Sequence, residues 1–211
     1  QIKNYLQILL TSSLWGSSFL MMKYALEELD AYNISFYRIL IGMVFINILN
    51  FKKTKLPIRK HFQLALVGLL WMSFPFYLFA KAEETITSSL AGLINGSTPI
   101  FISLIAVLIF KDKILKKQII YLLTGFIGIY FVSFGFSNAF EDFNLGAMLA
   151  LLASVSYGFA ANIVQSLIKE YGSLQTLKIA LRYATVISFI LLNVNSSLSV
   201  PTYEISLFPM L

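Results

Sequence analysis

The sequence predicts an all-α, polytopic transmembrane protein, and three observations predict it. The 211 residues are 58% hydrophobic and only 12% charged, half the charge of a soluble domain, which carries about 25%. Mean hydropathy is +0.78. The apolar residues fall into seven runs, each close to the roughly 20 residues that a spanning helix needs. This balance excludes disorder, which requires low hydrophobicity and high charge, and it argues against a soluble globular enzyme. The absence of cysteine removes a disulfide framework, a thiolate metal site and a cysteine nucleophile, and one histidine, His61, does not build a zinc site. No cofactor is expected.

The first run, residues 5–26, lacks an Ala-x-Ala cleavage site and is too long for a signal-peptide core, so it reads as a retained span. The second, 32–51, carries Arg38 about two turns inside it. The third, 62–80, holds Trp71 near its middle, and the fourth, 85–110, is interrupted by Pro99, which removes a backbone hydrogen bond and kinks a helix. The fifth, 114–136, completes a first unit of residues 1–137. The last two, 145–168 and 174–194, begin a second unit assigned to 144–211, whose final stretch from 195 onward holds Pro201 and Pro209 and reads as a loop. Because the chain opens on Gln1 and stops in an apolar stretch, the expectation is a piece of a longer protein.

The net charge of +6 is a topology signal and not a nucleic-acid patch. The N-terminal end and the links after the second, fourth and sixth runs hold twelve of the 16 basic residues, while the other links and the tail hold only Lys81 and eight of the ten acids. Cytoplasmic loops are enriched in Lys and Arg. The expected location is therefore the cell (inner) membrane, with a cytoplasmic N-terminus and the bilayer as partner. Oligomeric state is left open.

The chain also repeats itself. Leu9-Leu10-Thr11-Ser12-Ser13-Leu14-Trp15-Gly16 and Leu151-Leu152-Ala153-Ser154-Val155-Ser156-Tyr157-Gly158 share the pattern Leu-Leu-x-Ser-x-x-aromatic-Gly at an offset of 142 positions. Each following run then carries one arginine, Arg38 or Arg182. A five-helix unit is odd, so the second copy enters the membrane from the opposite side. That makes the two units inverted repeats, an architecture recurrent in secondary transporters. By this logic the second unit is incomplete, with about three helices absent.

These residues resemble the EamA family of the drug/metabolite transporter superfamily. The resemblance rests on Leu14-Trp15-Gly16-Ser17-Ser18-Phe19 with Lys23, on Phe36-Tyr37-Arg38, and on residues 88–95 with Pro99-Ile100-Phe101. It rests also on Gly125-Phe126-Ile127-Gly128-Ile129-Tyr130. It covers the first repeat and the opening helices of the second. The chain departs from it after the fourth run, where Lys111-Asp112-Lys113 stands in place of the family's common Gly/Glu pair. The resemblance implies ten spans and movement of small metabolites, often outward.

The candidate substrate-binding residues are Trp15, Ser18, Lys23, Arg38, Trp71, Tyr77, Asn95, Thr98, Pro99, Tyr157, Asn162 and Arg182. A cation at membrane depth costs a few kcal/mol and points to function, here attraction of a solute carboxylate. For Lys23 and Arg38 the alternative is snorkelling to headgroups or pairing with Glu27, Glu28 or Asp30. Arg182 mirrors Arg38 near the other face. Pro99 frees backbone carbonyls beside Asn95 and Thr98, which either bind a solute or serve close helix packing. Asn162 is a mid-membrane amide that needs a partner. Trp15, Trp71, Tyr77 and Tyr157 either line an aromatic cavity or pack. No mid-span carboxylate is expected, and no Walker motif or hydrolytic constellation is present. The function expected is transport, in the direction of export, of small organic metabolites such as amino acids or related compounds by alternating access; a seven-helix receptor or sensor without transport activity is the alternative.

Overall fold

A computed structural model describes residues 2–49, 56–112, 115–134 and 144–200. Among them are seven helical segments and no strand: α1 (Ile2–Ala25), α2 (Ala31–Leu49), α3 (Ile58–Glu83), α4 (Ser88–Leu108), α5 (Lys116–Phe134), α6 (Leu145–Tyr171) and α7 (Ser173–Asn195). Each coincides with one expected run. Five of them, α2, α3, α4, α6 and α7, are long and apolar enough to cross a membrane. The chain is a multi-pass helical membrane protein.

Local chemistry sets the helix ends. Asp30 precedes α2 and its Oδ1 accepts from the Asn33 N–H at 2.8 Å. Thr87 caps α4 through Leu90 N–H at 3.2 Å, and Asn144 caps α6 through Gly146 N–H at 2.9 Å. Each is a short polar side chain satisfying an orphan donor of the first turn. α6 and α7 meet at the single residue Gly172, whose φ of 78° belongs to the region that glycine enters without a Cβ clash.

Two helices are interrupted. In α3 a π-helical turn spans Leu69–Ser73, directly before Pro75. Proline has no N–H to donate and its ring crowds the carbonyl one turn back, and a widened turn absorbs that. Hydroxyls serve the loosened backbone: Ser156 donates to Leu70 O at 2.8 Å and Ser35 to Ser73 O at 3.4 Å. In α4 the regular helix breaks at Ser97 before Pro99. The Ile94 carbonyl there accepts from Ser97 Oγ at 2.6 Å and from Ser154 Oγ of α6 at 3.2 Å.

The core sits where α6 meets α3 and α4, and a second cluster joins α2, α3, α6 and α7. α6 presents Ala147, Ala150, Ala153, Ser154 and Ala160, all fully buried, at the three- and four-residue spacing of one helix face. Small residues let the backbones approach. A Cβ on Gly158 would lie 2.7 Å from Ile105 Cδ1 and 3.1 Å from the Phe101 carbonyl carbon. α1 is held more loosely, with Phe19 and Met22 buried but Leu9, Leu10 and Leu14 all more than 60% exposed.

Candidate functional site

A cavity of about 350 Å³ lies between α1, α2, α3 and α6. Thr11, Leu14, Trp15, Ser18 and Phe19 of α1 form one wall; Phe76 and Phe79 of α3 and Tyr157 of α6 form the other, and Arg38 enters from α2. Phe79 is the hub of the aromatic wall. It stacks on Tyr157 at 6.0 Å and meets the edge of Phe19 at 5.4 Å. On α3, Phe76 and Phe79 are three residues apart and so share a face.

Among the described residues, Arg38 is the only charged side chain lining this cavity. Its guanidinium carbon stands 4.5 Å above the Phe76 ring. Nη1 donates to Met22 Sδ at 3.1 Å and Nη2 to Ser18 Oγ at 3.5 Å, both weak contacts for a cation. It forms no ion pair: the pairs among the described residues are Lys60–Glu170 and Lys81–Glu84. The guanidinium thus keeps donors available to an incoming carboxylate, which a planar fork can bind bidentately.

Four of the sequence candidates, Trp15, Ser18, Arg38 and Tyr157, come together in this cavity. Trp15 also borders a wider hollow of about 820 Å³ between α1 and α4, where Asn95 stands beside Ser88, Ser89 and Gly92. The remaining candidates lie elsewhere. Lys23 donates Nζ to the Glu83 carbonyl and to Ile86 O at 3.2 Å, so it caps the C-terminal end of α3, where the helix dipole favours a cation. Among the described residues no ion pair joins it to Glu27 or Asp30. Tyr77 stacks on Tyr32 at 4.3 Å. Trp71 lies in the π-turn, facing a separate apolar hollow with Val67, Val164 and Ala180. Asn162 spends its amide on the Ile102 and Gly158 carbonyls, at 3.0 and 2.8 Å, stitching α6 to α4. Thr98 Oγ1 is enclosed without a hydrogen bond, and Pro99 is exposed. Arg182 is exposed and donates to Asn47 of α2.

Sequence reading missed Thr11, Phe19, Phe76 and Phe79 as lining residues. The Phe76/Phe79 spacing was the available signal, obscured by the many other aromatics. It also placed Glu83 in a polar link. α3 continues through Glu83, whose side chain is fully buried.

At the end of the bundle where α1 turns into α2, a polar latch ties the residues after α7 to α2. Asn33 Nδ2 donates to Ser197 O at 3.0 Å, Ser199 N–H to Asn33 Oδ1 at 2.9 Å, and Tyr37 hydroxyl to Ser199 O at 2.8 Å. Ser196 Oγ donates to Asp30. Partial burial works to raise the Asp30 pKa, but hydrogen bonds from Ser196 and Asn33 outweigh it and hold the carboxyl below its ordinary range.

The EamA-like transporter family profile matches residues 2–134. An uncharacterized transporter of Haemophilus influenzae is 27% identical over 179 residues, covering 80% of this chain and 58% of that protein. The uncharacterized transporter YdfC of Bacillus subtilis is 26% identical over 176 residues, covering 81% and 57%. An uncharacterized transporter of Archaeoglobus fulgidus is 26% identical over 153 residues, covering 72% and 46%. The chain therefore spans little more than half the length of the first two relatives.

Proposed function

Because this chain belongs to the EamA-like transporter family, we propose that it forms part of a transporter moving small organic metabolites, amino acids or related carboxylates, across the membrane. The observation that carries this reading is Arg38, a cation held in an aromatic cavity with no ion pair among the described residues. A charge at membrane depth costs about 2.5–3.5 kcal/mol on insertion scales, so an arginine kept there without an ion-paired carboxylate is retained for a task. A carboxylate bound by it gains about 1.5–3 kcal/mol per charged hydrogen bond, and the rings around it accept the solute's apolar part.

The rest of the reading builds on the repeat. α6 and α7 open a second, inverted unit spanning 144–211, set against the first unit of 1–137. Alternating access arises when the two rock about the Arg38 cavity. The close crossing of Gly158 over Phe101, and the matching Leu-Leu-x-Ser-x-x-aromatic-Gly motifs, support this assignment. The concentration of Lys and Arg at one set of links supports an inner-membrane location with the N-terminus inside. Outward movement is what the family resemblance implies.

Counterflow of radiolabelled L-amino acids, assayed singly in proteoliposomes holding the full chain, tests the proposal. Arg38→Ala is expected to cut counterflow by roughly tenfold or more, corresponding to the loss of at least one charged hydrogen bond, with the protein still inserted. Undiminished counterflow in that variant removes Arg38 from the solute path.

A further inference from the structure

Glu83 is the one acid among the described residues with no exposed surface, and neither carboxylate oxygen has a hydrogen-bond partner. Its position follows from α3. Phe76, Phe79 and Glu83 are spaced three and four residues apart, so they run along one face of the helix. Glu83 therefore lies one turn beyond the cavity wall, toward the α1–α2 end. The cations acting on it are Lys23 from α1 and Arg38 from α2, and neither forms an ion pair with it. Tyr157 faces the same Arg38 from α6. The start of α4 contributes only hydroxyls, Ser88 and Ser89, and on α3 itself Lys81 and Glu84 pair with each other on the exposed side.

Arg38 is thus shared. Arg38 and Glu83 act on each other through space, without an ion pair. A solute carboxylate seated on Arg38 brings a second negative charge to the same cation. The two anions repel across a poorly screened interior. Glu83 can relieve this without any helix moving, by accepting one proton onto a carboxylate oxygen, with no other bond made or broken.

We infer that Glu83 is a proton-binding site linked to solute binding at Arg38, so that a carboxylate and a proton are taken up together. The inference rests on the proposed solute role of Arg38. It makes external acid oppose outward movement of solute, because the proton must leave with it.

The test is binding of benzoate to the full chain in detergent or nanodiscs, followed by calorimetry in buffers of different ionisation enthalpy. Wild type is expected to take up a proton as benzoate binds, and to bind up to about tenfold tighter per unit of pH lowered across the linked range. Glu83→Gln, a fixed neutral isostere, is expected to bind at least as tightly as wild type, with no proton uptake and no such pH dependence. Glu83→Asp keeps the linkage and serves where the glutamine variant does not fold. Benzoate binding without proton uptake in wild type, or uptake that persists in Glu83→Gln, overturns this inference and leaves the Arg38 reading intact. No benzoate binding by wild type at any pH overturns both.

Discussion

α1 and α6 carry the same eight-residue pattern, yet they sit in the protein very differently. In α6, Ser154 is fully buried, Tyr157 is 7% exposed and Gly158 is pressed against Phe101 and Ile105. In α1, Trp15 is 49% exposed and a Cβ on Gly16 would meet nothing within 4 Å. Among the described residues the shared motif is a packing interface in α6 and an open face in α1. It is a face able to accept a close neighbour, and it becomes core only where other helices present small residues and free carbonyls to it. α6 finds both at the breaks in α3 and α4. α1 meets the described chain mainly through Phe19, Met22 and the Lys23 cap.

The sharpest way to break this comparison is to add one methyl group to each glycine. Gly158→Ala drives a Cβ into backbone and is expected to destabilise the protein by about 1–3 kcal/mol, the usual cost of overpacking. Gly16→Ala meets open space, and its gain in helix propensity is worth up to about 1 kcal/mol. Unfolding by steric trapping in bicelles measures both, and equal destabilisation would erase the distinction between the helices.

A smaller contrast separates the serines. Ser154→Ala removes a hydroxyl that satisfies the Ile94 carbonyl at the break in α4, a loss of about 1 kcal/mol. Ser12→Ala, its counterpart on exposed α1, is expected to change stability by less than about 0.5 kcal/mol, as surface substitutions do.

The smallest effect concerns the latch at the end of the bundle. Asp30 has a lowered pKa when folded, so its stabilising contribution is complete above its ordinary value and fades as the pH falls through the depressed folded value. Asp30 is largely exposed, so the effect is slight. The protection of the Ser199 amide, its exchange rate relative to an unstructured peptide at the same pH, is expected to fall slightly in acid in wild type, and to lose that dependence in Asp30→Asn.

Bulk hydropathy made the seven spans legible, because the bilayer demands apolar length and little else. Their interruptions were legible only in part. Pro99 marked the break in α4, whereas the π-turn of α3 depends on how Pro75 is accommodated by Ser35 and Ser156 from other helices. Glu83 was read into a link because hydropathy ends a span at the first charges. In the fold, Lys23 caps the carbonyls there and the helix runs on. Arg38 was identifiable as a cation at membrane depth, but its lack of an ion pair is a property of three neighbouring helices. Arg182 looked like its twin by position in the repeat, yet Asn47 on α2 engages it. Partners separated by a hundred residues leave no trace in local spacing.

The most direct test of the Arg38 cavity uses the absence of native cysteine. A single Thr11→Cys on the α1 wall of the cavity is reacted with a small, charged, membrane-impermeant thiol reagent, with and without saturating benzoate. The account predicts that benzoate slows labelling severalfold, and that this protection vanishes when Arg38→Ala is added. Labelling at the same rate with and without benzoate, in protein that retains Arg38, would contradict it.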